Sequence, residues 1–447
     1  MIEKGNINSL AIAIYKDSLV YHNYYGAIDK NTQNVPNDNT LYEIASISKV
    51  FVGSLAAKAV VENKISLDDD IRLYLEGDYT NLEFEGTPIT VRDLVTHTLG
   101  FDLPEKLEEV FKKTFNGYYE NRAFDYQMED LLEELKTAEL TKKPGTYYDY
   151  SNVGPELVAY ILEQVYDESY ENLLSAFFNE ISMESSRLQK YGKQDENIAN
   201  GYGENDERVP LVGNPFLGGA GGILATLPDM AKFMKFQLES KDPFIKESTR
   251  FLFKDEEGDT GYFWDLGVGT KEGFYYQKTG SSNGVESVIL ICPDSNYGLV
   301  MIINNQSEAA IIDRSSLYGR IEYDLIRYPK INLWSLVEEE FMSDPKEAAK
   351  KYRQLKSDDQ YFASSDYLNN VGYDFIFNDK LKEAIAVFEF AISEDPENAN
   401  LYDSLGEAYF IAEDYEKSEV NFKKSLELNP SNNNAEKYLS EIKKLNQ

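Results

Sequence analysis

Apolar positions along this chain change rhythm twice, and each change marks a boundary. Near the start they come in short runs bounded by turn residues. Residues 9–14 (Ser-Leu-Ala-Ile-Ala-Ile) and 19–25 read as two strands joined by a turn at Lys16-Asp17-Ser18. A polar stretch at 29–40 follows, then an apolar run at 50–61 with the length of a helix. The segment 67–75 carries three consecutive aspartates and reads as solvated. A second helix is expected over 89–97. Thr90 is its N-cap, Asp93 stands in the capping-box position, and Gly100 follows its end. Residues 101–141 are irregular and aromatic, with a helical piece at 128–135. They read equally as a cover over a pocket and as an ordinary insertion.

Beyond a turn at Pro144-Gly145-Thr146, a helix is expected over 155–165. The flexible crossing Gly218-Gly219-Ala220-Gly221-Gly222 leads into another over 228–238, with Pro228 in its first turn. From 262 to 304 the pattern turns strand-like again. Runs at 262–269, 273–279, 284–292 and 297–304 alternate with turns, as in an antiparallel meander. A helix over 309–326 is expected to pack on that meander. Strands at both ends and helices between them predict an α/β domain over 1–335: an antiparallel sheet built from both termini, with a helical lobe inserted.

The tail has a third rhythm. Gly372 recurs as Gly406, Phe375 as Tyr409, Ala384 as Ser418, Phe388 as Phe422, Ala391 as Ser425 and Pro396 as Pro430, each pair 34 positions apart. That is the tetratricopeptide period, in which small residues let paired helices approach and proline ends the second. The expected layout is a helical linker at 336–362 with a helix at 345–355, then an all-α tail at 363–447. The tail would hold two repeats and a capping helix at 435–445.

Composition narrows the function. Acidic residues number 78 against 44 basic ones, a net charge of −34, which would repel nucleic acid and anionic membranes. The charge reads mainly as a solubilising shell, and secondarily as a field that steers cationic ligands. The lone Cys292 rules out an internal disulfide and sits in an apolar run as a packed strand residue. With two histidines and no Cys pair, no metal site of the usual kind is expected, and no cofactor. No apolar run reaches the length of a membrane span, and no signal peptide is legible.

Three short patterns carry chemistry. Ser46-Ile47-Ser48-Lys49 puts a hydroxyl and an amine one helical turn apart, before the apolar helix. A serine needs a nearby base, and a lysine becomes one when burial and other positive charge lower its pKa. The same spacing recurs at Ser343 and Ser440, neither of which precedes a long apolar helix. Tyr150-Ser151-Asn152 places a phenol and an amide at a loop-to-helix junction, where the phenol can relay a proton. Asn152 can alternatively be a plain helix N-cap. Lys278-Thr279-Gly280 ends a strand run and occurs once. Its lysine can hold a substrate carboxylate, its glycine can let substrate backbone approach, and the Ser281 amide can join that of Ser46 as an oxyanion donor. His97 reads as a structural histidine pinning a helix end, and His22 as a strand surface residue. Gly280-Ser281-Ser282-Asn283-Gly284 matches the nucleophile elbow of α/β-hydrolases, but no histidine follows residue 97 to complete that triad.

The ordered set Ser-x-x-Lys, Tyr-x-Asn, Lys-Thr-Gly resembles the serine β-lactamase and penicillin-binding-protein superfamily, most of all its class C β-lactamase group and their esterase and D-amino-acid peptidase relatives. The stretch ITVRDLVTHTLGF is similar to a family segment ending His-Thr-Ser-Gly, with Leu99 in place of the serine. GGAGGILATLPDM resembles the family's glycine-rich loop and following helix. The resemblance implies an acyl-enzyme on Ser46, proton transfer by Lys49 and Tyr150, substrate amide binding by Asn152, and carboxylate binding by Lys278. A β-lactam or D-amino-acid peptide is the implied substrate, with a carboxylic ester as the alternative. A periplasmic or secreted setting is also implied, with a cytoplasmic one left open. A second class of reading makes the chain a repeat-based interaction scaffold with a vestigial hydrolase domain, its partner a protein bound by the tail.

Overall fold

The terminal strands and the meander meet in one sheet of the computed structural model, which describes residues 6–30, 32–102, 107, 109, 126–189, 197–209, 216, 218–256 and 258–445. Its strands are β1 (Ser9–Lys16), β2 (Leu19–Gly26), β3 (Phe253–Lys254), β4 (Asp259–Gly261), β5 (Trp264–Gly269), β6 (Gly273–Ser282), β7 (Val285–Cys292) and β8 (Tyr297–Ile303). They lie in the order β3-β4-β5-β6-β7-β8-β1-β2, with antiparallel neighbours. The join between the two ends of the domain is the β1–β8 ladder, which runs from Leu10↔Ile303 to Lys16↔Tyr297. Every residue of β7 and β8 is buried, as suits central strands covered on both faces. Cys292 is among them, and His22 lies exposed on the edge strand β2.

The inserted lobe is built on α1 (Ser48–Val61). Ser48 to Ala57 are all buried, so the helix has no solvent face until its last turn and forms the lobe's axis. Phe51 stacks on Phe233 at 4.3 Å and meets Phe178 edge-on at 5.5 Å. Around it stand α2 (Val91–Val95), α3 (Met128–Leu135), α4 (Val153–Tyr166), α5 (Tyr170–Glu180), α6 (Leu227–Glu239) and α7 (Pro243–Ser248). The α2 helix is shorter than the expected 89–97 because His97 adopts a left-handed φ of 58° and breaks it. At 67–75 the aspartates reach solvent while Leu67 and Ile71 are buried, so the solvated reading holds only for the charged positions. The irregular stretch read as a cover or an insertion falls mostly outside the described residues.

The chain divides into two compact units, Met1–Ile311 and Ile312–Gln447, earlier than the expected boundary at 335. The reason is α8 (Glu308–Arg327). Its place in the sequence puts it on the meander, but Arg320 donates to the Tyr367 hydroxyl at 2.8 Å and pairs with Glu338, which commits most of the helix to the second unit. The expected linker is not a linker either. Trp334, Phe341 and Tyr352 are buried with Leu368 and Phe390 in one core, and Ile331–Asn332 pairs with Tyr361–Phe362 as a small parallel ladder. The segment contains α9 (Glu338–Ser343) and α10 (Pro345–Leu355).

The repeats follow as α11 (Ser365–Phe377) with α12 (Leu381–Glu394), then α13 (Ala399–Ile411) with α14 (Tyr415–Leu428), and a last helix α15 (Asn433–Leu445). The 34-residue period is visible in the packing. A Cβ on Gly372 would lie 2.3 Å from the Phe388 ring, and one on Gly406 would lie 2.9 Å from the Phe422 ring.

Candidate active site

Ser46 stands in a single 3-10 turn, Ala45–Ile47, that feeds directly into α1. It therefore lies just before the α-helix rather than in it. Ala45 takes a left-handed φ of 48°, a conformation uncommon for a residue with a side chain. The turn is held from the sheet side. Ser287 Oγ donates to the Ile44 carbonyl at 3.2 Å, and Ser282 Oγ donates to buried Glu43 at 2.5 Å.

Gly280 brings β6 against this turn. A Cβ there would lie 2.3 Å from the Ile44 carbonyl oxygen and 3.2 Å from the Ser46 amide nitrogen. The glycine thus admits the protein's own backbone, a different neighbour from the substrate backbone expected of it. It also sets the strand carrying Ser281 beside the Ser46 amide. Ser281 Oγ itself bonds to Glu286 at 2.5 Å and accepts from Gln306 at 2.8 Å, and Thr279 is exposed on the same strand.

Three expected residues converge. Tyr150 OH donates to Ser46 Oγ at 2.7 Å, and Lys49 Nζ lies 3.0 Å from the same oxygen. The Tyr150 ring is flanked by two ammonium positions, Lys49 Nζ at 4.9 Å and Lys278 Nζ at 5.3 Å from its centroid. Desolvation raises the phenol above its ordinary value although the residue as a whole is 44% exposed, and Lys278 and the hydrogen bond to Ser46 pull it back. Tyr150 is thus a neutral donor near pH 7.

Lys49 is fully buried, and burial lowers its pKa to about 7 against a smaller upward pull from Glu156. Its one other bond is to the Ala220 carbonyl at 2.7 Å. Ala220 is held in turn by Glu156, whose carboxyl accepts from the Ala220 amide at 2.7 Å and the Gly219 amide at 3.3 Å. Burial raises Glu156 to about 8, opposed by those two amides and by Lys49. The glycine-rich crossing is tight because it must be: a Cβ on Gly219 would lie 2.6 Å from the Pro155 carbonyl oxygen.

Asn152 occupies the N-cap position of α4, but its side chain makes no capping bond. The Ser151 hydroxyl instead accepts from the Val153 amide at 3.0 Å, so the plain N-cap role fails for Asn152. His97 acts as a strut. Its carbonyl accepts from the Asp149 amide at 2.7 Å, its Nδ1 accepts from the Ser151 amide at 3.3 Å, and its ring lies 4.6 Å from that of Tyr150. Burial and the two lysines hold its pKa well below the usual value, so it stays neutral.

Lys278 is 3% exposed, and its Nζ is bonded at 3.1 Å to Asp265 on β5. A cavity of about 260 Å³ opens beside that pair, lined by Tyr148, Asp255, Asp259, Asp265, Tyr275 and Gln277 among others. Sequence reasoning missed Glu156 and Asp265. Glu156 carried a faint signal, a carboxylate on the apolar side of a helix. Asp265 carried none, since a polar residue between Trp264 and Leu266 is ordinary strand alternation.

The Beta-lactamase family model matches residues 1–316, and a Tetratricopeptide repeat model matches 399–432. "Protein flp" of Staphylococcus aureus is 24% identical over 318 residues, covering 69% of this chain and 61% of that protein, so the similarity spans under two thirds of that relative's length. A "Beta-lactamase" of Providencia stuartii is 23% identical over 343 residues, covering 66% of this chain and 81% of its own length. Among solved structures, a class C β-lactamase aligns with a TM-score of 0.58 at 25% identity, over 70% of this chain and 90% of its own. The octameric penicillin-binding protein homologue from Pyrococcus abyssi aligns with a TM-score of 0.59 at 23% identity, over 68% of this chain and 71% of its own. The fold is thus β-lactamase-like, followed by an all-helical repeat tail.

Proposed function

Because the chain belongs to the β-lactamase family, we propose that it is a serine hydrolase acting through an acyl-enzyme on Ser46. The observation that carries this reading is that one oxygen, Ser46 Oγ, is within hydrogen-bond reach of both Lys49 Nζ and Tyr150 OH, at 3.0 and 2.7 Å. As a neutral amine, Lys49 donates an N–H to the Ala220 carbonyl and turns its lone pair toward Ser46. It takes the hydroxyl proton as Oγ bonds to the acyl carbon. The amides of Ser46 and Ser281 receive the oxyanion, and Asn152 receives the substrate's amide side. The leaving group departs with a proton passed through Tyr150. Water then attacks the Ser46 ester, gives its proton back along the same path, and frees the acid and the serine.

Lys278-Thr279-Gly280 supports a substrate with a carboxylate, a β-lactam or D-amino-acid peptide. The ion pair between Lys278 and Asp265 favours the second reading, a carboxylic ester with no carboxylate to anchor. The repeat tail supports a docking role for a protein partner. No helix among the described residues is long and apolar enough to cross a membrane. The proposed setting is the periplasm or cell exterior, and protease accessibility in intact cells tests it.

The deciding experiment offers the protein and Ser46→Ala a chromogenic cephalosporin, a short nitrophenyl ester and a D-Ala-D-Ala peptide, with intact-mass detection of adducts. The expected result is turnover of at least one substrate and a trapped acyl group lost in Ser46→Ala. No turnover and no adduct would end the hydrolase reading and leave the vestigial-scaffold alternative.

A further inference from the structure

The residue that the site adds to the three expected patterns is Asp265, which pairs with Lys278 and lines the cavity beside it. The β5–β6 ladder ends at the pair Asp265↔Gln277. Past that pair, β5 turns away through Tyr262 and Phe263, both with left-handed φ, and the Phe263 amide bonds to the Val95 carbonyl at 3.0 Å. Gly53 on α1 makes room for this turn: a Cβ there would lie 2.2 Å from the Tyr262 carbonyl oxygen. The hairpin is therefore pinned into the lobe. From Lys278 to Ser282, β6 pairs with β7 alone among the described strands. No described strand pairs with its other edge, and Gly280 on this stretch lies against the turn that carries Ser46.

Asp265 stands where the β5–β6 pairing stops. One of its oxygens holds the buried Lys278 ammonium at 3.1 Å, and its side chain remains 43% exposed toward the cavity of about 260 Å³. An internal carboxylate thus already sits on the cation that would anchor a substrate's carboxylate. A second carboxylate brought to the same ammonium would meet Asp265 at close range, and like charges so placed repel strongly. Among the described residues the other charged ones lining the cavity are Asp255 and Asp259, and Tyr148, Tyr275, Thr260 and Gln277 add hydroxyl and amide oxygens. Asp259 is paired with Lys254 at 3.2 Å, a side chain 78% exposed and so screened by solvent. The wall of the cavity that Asp265 lines offers acceptors and negative charge, which suit an ammonium group and oppose a carboxylate.

We propose that Asp265 is the specificity-determining residue of the Ser46 site: it occupies Lys278 in place of a substrate carboxylate, and it receives the ammonium group of an amine-bearing ester or amide in the cavity beside it. This rests on the hydrolase reading above and names its substrate class. Selectivity comes from both sides of the comparison, an attractive contact for the amine and a repulsive one for the acid.

The test uses the full chain and three matched nitrophenyl esters, of 4-aminobutyrate, pentanoate and succinate, which differ mainly in a terminal positive, neutral or negative group. The expected kcat/KM order is amine, then neutral, then acid, with about 100-fold between the extremes. Asp265→Asn should bring the extremes within about tenfold, chiefly through KM, while Asp265→Glu keeps the order. The Asp265→Glu variant and a melting curve for Asp265→Asn separate loss of charge from loss of fold. A wild-type preference for the succinate ester, or an unchanged ratio in a folded Asp265→Asn protein, would overturn the proposal. Failure to turn over even the pentanoate ester, with no adduct on Ser46, would instead overturn the hydrolase reading itself.

Discussion

The buried base makes a quantitative prediction about pH. Lowering Lys49 from the ordinary lysine value of 10.5 to about 7 makes roughly half the amines neutral at pH 7, against roughly one in three thousand for a solvated lysine. The cause is desolvation, and the side chain has no exposed area. Glu156 opposes it, since a nearby carboxylate favours the ammonium. It acts across a single residue, holding the Ala220 amide while Lys49 holds the Ala220 carbonyl. At an effective dielectric near 20, one charge at such range is worth roughly 1–2 kcal/mol, or about one pKa unit. Lys49 and Glu156 therefore titrate as a pair, with apparent values near 7 and 8. The acidic limb of kcat/KM for an uncharged ester should have its midpoint in that window. Glu156→Gln removes the part of the opposing charge that Glu156 still carries there and leaves one of the two loop amides facing an N–H₂ group. Both consequences lower the lysine's pKa, but with its own pKa at about 8 Glu156 is mostly protonated near pH 7, so the limb should move down by only a fraction of a unit, with unit slope. The assay is a pH–rate profile of wild type and variant at fixed ionic strength. A limb that stays in place or moves up would refute the assignment of Lys49 as the base under Glu156's control.

Two further perturbations test the same geometry. In Lys49 the folded pKa lies below the unfolded one, so between pH 7 and 10.5 the unfolded chain binds more protons, and this group's contribution to stability rises with pH. Relative to Lys49→Met, wild type should gain on the order of 5 kcal/mol across that window and show no further change below it, as read from urea unfolding at several pH values. Gly280→Ala would place a methyl 2.3 Å from the Ile44 carbonyl oxygen. The Ser46 turn must then shift, and kcat on an uncharged ester should fall by about 100-fold with the circular dichroism spectrum retained.

The sequence made the sheet legible because every strand of the meander was bounded by turn residues, and because burial on both faces of β7 and β8 left uninterrupted apolar runs. It made the repeats legible because Gly372 and Gly406 answer to the same aromatic ring, in Phe388 and Phe422, one period apart. The failures have physical reasons too. Position in the chain assigns the α8 helix to the sheet, but Arg320 finds its partners, Tyr367 and Glu338, far along the sequence. Residues 336–362 look like a linker because Asp344-Pro345 interrupts the helical pattern between the anchors Phe341 and Tyr352, so no one continuous apolar face is legible. At the site, the serine, lysine and tyrosine could be found because their chemistry is tied to short spacing. Glu156 and Asp265 act across 64 and 13 positions, on Ala220 and Lys278, and no local pattern records that.

The chain's net charge of −34 gives a preference for amine-bearing substrates two separable origins. A diffuse acidic surface would raise the local concentration of any cation, and salt would abolish that effect, since exposed charges are screened beyond about 8 Å at 0.15 M ionic strength. Asp265 acts at contact distance, from within the site and against a lysine that is 3% exposed. Its part of the preference should persist at salt concentrations that remove the surface's part. The surface effect should appear in KM for every cation, whereas the Asp265 effect depends on where the ammonium stands relative to the scissile carbonyl. A series of ω-amino esters of increasing chain length, run at low and high salt, therefore distinguishes them. An optimum in chain length that survives high salt belongs to Asp265, and a length-independent advantage that vanishes with salt belongs to the surface.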